Sequence, residues 1–323
     1  MKKIYTIAAA VLAFSMLFLP LAAGGIKGES ASLPAMGDYY LSPLPENHET
    51  IRVLRHESGE ILEMKVEDYL FSVVAAEMPA LYESEALKAQ TVAAYTYAMC
   101  KAAKSEEEYD ITDDSSIDQA FITREDALAK WGEDAEIYEE KIRTAVKAVL
   151  YEKITYDGKL ILAAYHAISS GRTENAVDTW GGNYAYLTSV DSSGDKLSPN
   201  YLSTAEFTAD ELKTKLSEFV TLSGDGSGWI GELSRTDTGT VLTAVIGGKS
   251  ISGGNIRKAL SLRSANFDVA FSGGKFTFTV RGYGHGIGMS QYGANYMAQT
   301  GSTYEEILKT YYTNTEITEY NKP

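Results

Sequence analysis

The chain has little of three things that would define a function class at once: cysteine, histidine and clustered positive charge. Its 323 residues include one cysteine, Cys100, and four histidines, which excludes an internal disulfide framework and a cysteine-rich zinc site. No His-Glu-x-x-His motif occurs, so no zinc centre of that kind is expected. Lys and Arg total 29 against 44 Asp and Glu, a formal charge of −15, and no window is densely basic. A nucleic-acid partner is therefore not expected, because clustered Lys and Arg hold phosphate backbones.

An uncharged, mostly apolar run occupies residues 4–23, directly after Lys2 and Lys3. A run of about 20 residues at 1.5 Å each matches a bilayer hydrocarbon core of about 30 Å. The positive-inside rule then places the N-terminus in the cytoplasm and the rest of the chain outside. The alternatives are a buried core helix and a cleaved signal peptide. Leu21 makes Ala22-Ala23 a poor cleavage site, so a single-pass anchor in the cell membrane, with an extracytoplasmic domain, is favoured over secretion.

Composition divides the rest of the chain into a stalk and a folded domain. Residues 24–50 are rich in Gly, Ser and Pro and lack periodicity, which predicts a stalk. The folded domain is expected over residues 51–316, opening with a strand pair on either side of Glu57-Ser58-Gly59. Four helices are predicted to follow, at residues 67–77, at residues 84–104, after a Thr123 cap with Asp126, and at residues 135–150.

The second half of this domain is predicted to consist of antiparallel hairpins and two final helices. Asp157-Gly158 is typical of a type I′ turn, and further hairpins are expected over residues 241–252 and 267–281. One final helix is predicted over residues 290–300, ended by Gly301. Another is predicted over residues 303–312, with Ser302 and Glu305 as its capping box. Because helices and strands come in blocks, we expect an α+β fold with a helical N-terminal part.

One acidic residue lies on the apolar face of the first predicted helix. Val66, Leu70 and Val74 recur at helical spacing, and eleven steps of 100° return Glu77 to within about 20° of that stripe. Glu77 also lies in the last turn, where the negative end of the helix dipole disfavours a carboxylate. Desolvation acts in the same direction. A raised pKa is therefore predicted for Glu77, as suits a general acid that protonates a leaving oxygen in glycosidic cleavage.

Two ordinary roles remain open for Glu77. A frayed helix end would return its carboxylate to water, and a neighbouring cation would neutralise it. Spacing also leaves the choice of a second carboxylate open, and the candidates are Glu83, Glu85, Glu174 and Asp191.

A glycine-rich segment at residues 281–294 is the second unusual feature. Alternate glycines from Gly282 to Gly288 flank His285 immediately before a predicted helix N-terminus. Backbone N–H groups there would meet a polar group of a ligand, with His285, Ser290 and Gln291 alongside. A tight structural turn is an equally good interpretation.

A third segment, residues 165–174, places small polar side chains after a strand, and Trp180 and Tyr184 follow. Aromatic faces combined with hydrogen-bonding groups suit a carbohydrate groove. The alternative is that Trp180 belongs to the core, where tryptophans are more often found.

Together these segments resemble the stage II sporulation protein D family. The motifs are Ala76-Glu77-Met78-Pro79 with Glu85-Ala86-Leu87-Lys88-Ala89-Gln90, residues 169–174 with Trp180, and GHGIGMSQYGA at residues 284–294. The resemblance implies a membrane-anchored lytic transglycosylase that acts on peptidoglycan when the forespore is engulfed during sporulation. It implies that Glu77 protonates the oxygen between N-acetylmuramic acid and N-acetylglucosamine. The same carboxylate would then take the proton of the muramic 6-hydroxyl, which closes a 1,6-anhydro ring.

The resemblance also implies a substrate and partners. The substrate would be glycan strands denuded of stem peptides by an amidase, stage II sporulation protein P, alongside other engulfment membrane proteins, and no cofactor is implied. The implied substrate contacts are Lys88, Ser169, Ser170, His285, Ser290, Gln291 and Tyr292. A non-catalytic glycan-binding module that enhances an amidase is the alternative for the same fold.

Two positions depart from the family pattern. Tyr95 stands where many members have arginine, so a cation expected one helix away from Glu77 is missing. Thr112 and Asp118 stand where some relatives have zinc-binding cysteines. No metal site is therefore expected.

Overall fold

The computed structural model describes residues 41–42, 49–182 and 184–318. The predicted anchor at residues 4–23 and most of the predicted stalk lie outside these ranges. Within them, none of the helices combines the length and apolar character that a membrane crossing requires.

Four helices form the first half of the main core, as predicted. They are α1 (Val66–Glu77), α2 (Ser84–Ala102), α3 (Arg124–Trp131) and α4 (Ala135–Ala148). The helix α1 ends because Met78 precedes a proline and adopts an extended conformation, with φ −120° and ψ 145°. The alanine-rich α2 contacts α1 and α4. Thr123 caps α3 through the backbone N–H of Asp126, as predicted.

Short sheets surround these helices. The predicted opening hairpin is confirmed as β2 (Thr50–Leu54) and β3 (Ile61–Lys65), which pair antiparallel, and β4 (Ile111–Thr112) pairs parallel with β2. Positive φ values of 49° at Asp157 and 69° at Gly158 confirm the turn predicted for the next hairpin. That hairpin consists of β5 (Lys153–Tyr156) and β6 (Lys159–Ile161) and belongs to a four-stranded sheet. The outer strands are β1 (Leu41–Ser42), which pairs with β6, and β15 (Glu316–Thr318), which pairs with β5, so the order is β1-β6-β5-β15.

A parallel strand pair brings distant segments of the main core together. It joins β7 (Tyr165–His166) to β14 (Met289–Ser290), and the short helix α5 (Ala176–Thr179) follows β7. The third and the glycine-rich segments of the sequence are therefore neighbours.

A second hydrophobic core is built from the chain between β7 and β14. Phe276 and Phe278 lie at its centre and are fully buried. The hairpins predicted at residues 241–252 and 267–281 are confirmed within it. Two three-stranded sheets and two helices make up this part: β8 (Leu202–Thr208), α6 (Ala209–Lys215), β9 (Ile230–Arg235), β10 (Val241–Ile246), β11 (Lys249–Ser252), α7 (Gly253–Leu260), β12 (Phe267–Ser272) and β13 (Lys275–Arg281).

The chain returns to the main core in α8 (Gln291–Gln299) and α9 (Tyr304–Tyr311). Gly301 ends α8 as predicted, with φ +100°, and the N–H of Ser302 donates to the carbonyl of Met297 at 3.0 Å. The capping box predicted at Ser302 and Glu305 is wrong by one residue. Since Ser302 completes the end of α8, Thr303 and Glu306 form the capping box of α9.

Helices of the first half, antiparallel hairpins and two C-terminal helices thus follow one another in blocks. The predicted α+β class is confirmed.

Candidate catalytic cleft

The carboxylate of Glu77 lies at the C-terminal end of α1, where three segments converge. Its Oε1 accepts the backbone N–H of Ala120 at 2.8 Å, and the Tyr165 hydroxyl lies 3.4 Å away. Its Oε2 accepts from Nε2 of Gln291 at 3.1 Å. Burial raises the pKa of Glu77 above its ordinary value, against the smaller opposing effect of these three hydrogen bonds. The direction of the shift agrees with the sequence-based prediction.

Neutral side chains hold the groups around Glu77 in place. The Tyr165 hydroxyl lies closer to Oε1 of Gln119, at 2.8 Å, than to Glu77, and Nε2 of Gln119 donates to the Tyr69 hydroxyl at 2.7 Å. Because a hydroxyl carries one proton, Tyr165 makes its shorter bond to Gln119 and only a long contact to Glu77. The Gln291 amide also contacts Oε1 of Gln90 at 3.4 Å. These contacts hold the polar groups around Glu77 in place, and it is burial that favours the protonated acid.

Glu77 borders an open cleft of about 990 Å³. Tyr82 and Tyr292 form an edge-to-face pair on its wall, with ring centroids 6.4 Å apart. Trp180 lies 5.1 Å from the His285 ring and is half-buried, so it contributes both to the packing and to the cleft wall. Partly exposed rings beside hydrogen-bonding groups suit sugars, whose two faces differ in polarity. The aromatic lining consists of Tyr82, Tyr97, Trp131, Tyr138, Tyr165, Trp180, Tyr283 and Tyr292.

Of the predicted contact residues, Gln291, Tyr292 and His285 line this cleft. The His285 ring is tied to its own loop, because Nδ1 accepts the N–H of Ile287 at 3.1 Å. Burial lowers the pKa of His285 to about 3, so the ring is neutral near neutral pH. His285 therefore shapes the glycine-rich loop, as the structural-turn interpretation expects, while one face of it borders the cleft.

Two other predicted contact residues, Ser169 and Ser290, are buried around the carboxylate of Asp195. The Ser169 N–H donates to Oδ2 at 2.8 Å, and the Ser290 hydroxyl donates to Oδ1 at 2.8 Å. Ser192 donates to the same carboxylate at 3.0 Å. Burial raises the pKa of Asp195, against these donors. The Asp195 carboxylate therefore links β14 to the segment that follows β7. Ser169 and Ser290 hold the cleft walls in place and do not line the cleft themselves.

The two remaining predicted residues lie outside the cleft lining. Lys88 pairs with Glu85 at 2.6 Å, and its ammonium lies 5.8 Å from the centre of the Tyr304 ring. Ser170 borders a second, smaller cavity. Neither contacts Glu77 among the residues that the structure describes.

The carboxylates left open by the sequence take separate positions. Glu174 is buried, and Thr240 donates to its Oε1 at 2.6 Å. Asp191 is exposed and accepts from the hydroxyl of Ser193 at 2.9 Å. Glu83 is exposed, and Glu85 is held by Lys88. Within the described ranges, none of these four contacts Glu77.

The residues that depart from the family pattern also have defined surroundings. Tyr95 is 1% exposed and packs edge to face on Tyr151, with ring centroids 5.8 Å apart, so it fills the core and does not line the cleft. Asp118 pairs with Lys101 at 2.8 Å, and the N–H of Thr112 donates to it at 3.1 Å. In the part of the chain that the structure covers, no three His, Cys, Asp or Glu residues cluster as metal ligands would.

The sequence predicted Gln291, Ser169 and Ser290, but not the other groups that orient Glu77 and the cleft walls. Asp195 is the largest omission, because a single buried acid in a turn has no local signature. The N–H of Ala120 is equally invisible in the sequence. Tyr165 and His166 belong to the segment predicted to bind sugar, and their place at the polar end of a strand was the only indication of a role.

Comparisons with known proteins identify the family of the chain. The family model described as "Stage II sporulation protein" matches residues 55–156. Stage II sporulation protein D of Bacillus subtilis (strain 168) is 39% identical over 275 residues, which is 84% of this chain and 79% of that protein. The Bacillus amyloliquefaciens protein is 38% identical over 281 residues, 85% of this chain and 80% of that protein. An amidase enhancer of Bacillus subtilis is 28% identical over 306 residues, 78% of this chain and 40% of that protein. Because the identity to stage II sporulation protein D of both Bacillus species extends over most of each chain, this chain belongs to the stage II sporulation protein D family.

Proposed function

We propose that this protein is a lytic transglycosylase that cleaves the bond between N-acetylmuramic acid and N-acetylglucosamine, with Glu77 as both acid and base. The observation that carries the proposal is the raised pKa of Glu77 among neutral partners at the edge of a 990 Å³ cleft. An acid whose pKa is raised above its ordinary value keeps its proton to higher pH and can transfer it to a leaving oxygen.

In the first half of the reaction, Glu77 gives its proton to the glycosidic oxygen. The bond from the muramic C1 to that oxygen breaks, and positive charge develops at C1. The Glu77 carboxylate that remains is then stabilised by Ala120, Gln291 and Tyr165, the same groups that contact it in the free protein.

In the second half, the Glu77 carboxylate takes the proton of the muramic 6-hydroxyl while O6 bonds to C1. The 1,6-anhydro ring closes, no water is consumed, and Glu77 is protonated again. Because one carboxylate serves both steps, the mechanism needs no second acid, and none of the described carboxylates lies against Glu77.

The cellular role that we propose follows from the family. The protein acts at the forespore during engulfment, on strands that an amidase of the stage II sporulation protein P type has stripped of peptides. Residues 4–23 anchor it in the cell membrane with the cleft on the extracytoplasmic side. Anchoring and partner proteins supply proximity, since a chain of charge −15 gains little attraction to an anionic wall.

The rival function is a glycan-binding module that enhances an amidase without cleaving glycan. The relative named "Amidase enhancer" supports it. Such a module needs the aromatic cleft but does not need Glu77 to ionise.

The test is to incubate the full chain, in detergent, with peptide-free glycan strands and to quantify 1,6-anhydro ends by mass spectrometry. We expect Glu77→Gln to lower the rate by about 10²- to 10⁴-fold, the usual contribution of a general acid and base. Glu83→Gln removes an exposed acid six residues away and is the matched control, with an unchanged rate expected. Equal product from Glu77→Gln and wild type would refute the assignment. Retention on strands without new ends, together with a faster amidase, would support the rival.

A further inference from the structure

A second cavity of about 280 Å³ adjoins the cleft and lies between the two hydrophobic cores. The two spaces share part of their wall, formed by Ile168, Trp180, Gly284 and His285. One side of the cavity comes from the segment after β7, and the other comes from β10, α7 and β13. The cavity therefore lies next to the cleft, on the other side of His285.

The cavity contains an unpaired cation. The Arg257 guanidinium contacts the Leu262 carbonyl through Nε at 3.4 Å, and no carboxylate in the described ranges pairs with it. Its charge helps to lower the pKa values of His166 and His285, which places it close behind the cleft wall. Burial lowers the pKa of Arg257 itself. A partly buried guanidinium without an acid is an open position for an anion.

The other charged side chains that line the cavity either have ion-pair or hydrogen-bond partners or are exposed to solvent. Arg281 pairs with Asp268 at 2.6 Å. The Glu174 carboxylate accepts from Thr238 and Thr240, which holds it in place. Arg172 is exposed. Arg172 and Arg257 both lack a carboxylate partner in the described ranges, and Arg257 is the more buried of the two, so it offers an incoming anion the less hydrated cation.

The helix that carries Arg257, α7, packs closely against β10. Gly253 starts α7 against β10, where an added Cβ would come 1.9 Å from the carbonyl oxygen of Val241, so only glycine lets the helix approach this closely. Ser252, which caps the same helix, and Gly254 in its first turn also line the cavity. Arg257 follows Gly254 by three residues and so projects from the same face of α7.

We propose that Arg257 binds the free lactyl carboxylate of a muramic acid from which the stem peptide has been removed. This proposal rests on the proposed function for its substrate class, and it names the residue that selects for the bare sugar. A guanidinium binds a carboxylate through two parallel hydrogen bonds. In a peptide-bearing strand the same carbonyl is a neutral amide followed by several residues, for which a cavity of 280 Å³ has no room. A dianionic phosphate fits less well, because Glu174 lies in the same wall.

The test measures binding, so it does not depend on turnover. The full chain carrying Glu77→Gln is titrated with peptide-free strands and with the same strands after chemical reduction of their carboxylates to alcohols. We expect the untreated strands to bind roughly ten- to a hundredfold more tightly, the value of charge-assisted hydrogen bonds. Adding Arg257→Gln should abolish this difference, and Arg257→Lys should keep part of it. Lys258→Gln removes an exposed charge from the same helix, outside the cavity lining, and should keep all of it.

Three results would overturn the proposal. The first is equal affinity of the Glu77→Gln protein for both kinds of strand. The second is discrimination that survives Arg257→Gln in a protein that circular dichroism shows to be folded. The third is Arg257-dependent binding of a phosphate-bearing wall polymer in place of the strands. Since these readouts use a protein that cannot turn over, failure of wild type to produce anhydro ends would contradict the transglycosylase assignment and leave the Arg257 result intact.

Discussion

The replacement Gly288→Ala tests how tightly the glycine-rich loop is locked against β7. Gly288 has φ +69°, and an added Cβ would lie 2.0 Å from the carbonyl oxygen of Ala164. That oxygen also accepts the N–H of Met289 at 3.1 Å, so the contact cannot open without disturbing the pairing of β14 with β7. A left-handed conformation costs an L-residue about 1–2 kcal/mol, and forcing a methyl into a packed site costs about 1–3 kcal/mol more.

Gly274→Ala is the matched control, because Gly274 has φ +78° but open space where the Cβ would go. We expect Gly274→Ala to lower the free energy of unfolding by about 1–2 kcal/mol and Gly288→Ala by about 2–5 kcal/mol. Urea denaturation followed by tryptophan fluorescence and circular dichroism measures both. Formation of anhydro ends should slow in Gly288→Ala alone, since the loop also places Gln291 against Glu77. If Gly288→Ala is no less stable than Gly274→Ala, the reasoning from close contact is wrong.

Three further predictions concern buried polar groups. Burial raises the pKa of Glu77 above 4.5, so the folded protein holds this proton more tightly than the unfolded chain, and stability falls as pH rises through the interval between the two pKa values. Glu77→Gln should therefore gain stability relative to wild type as the pH is raised above the ordinary value of 4.5 in urea denaturation, and an unchanged difference contradicts this. Asp195→Ala leaves three buried donors without their acceptor and should cost about 2–5 kcal/mol in the same assay; a loss below about 1 kcal/mol refutes this role of Asp195. Cys100 is 1% exposed, so a thiol reagent should label it completely only in denaturant, and rapid labelling of the native protein would contradict its burial.

Local patterns predicted the helical elements of the main core well. Apolar spacing and the following proline placed the end of α1, and with it Glu77, at the correct residue. The α9 cap was misplaced because two overlapping Ser/Thr-x-x-Glu patterns begin at Ser302 and Thr303. Only the return of Ser302 to the Met297 carbonyl decides between them.

The elements of the second core were predicted less completely from the sequence. Its two helices were missed, although Thr208 and Glu211 form a capping box and Ser252 caps α7 through the N–H of Asn255. Both helices are short and stand among strands, so the hairpin pattern obscured them. The surroundings of Glu77 were beyond any local pattern. Its pKa direction followed from helix position, but its partners are set by tertiary packing alone.

The contacts of Glu77 have a consequence for the order in which the protein folds. Its partners Ala120, Tyr165 and Gln291 lie 43, 88 and 214 residues away along the chain. Closing such long loops carries an entropic cost that contacts between neighbours do not, and it slows folding. The α1 helix can form early, but its acid acquires the surroundings that raise its pKa only when the last segments dock. A partly folded chain therefore carries Glu77 as an ordinary carboxylate, and its raised pKa arises only with the completion of the fold.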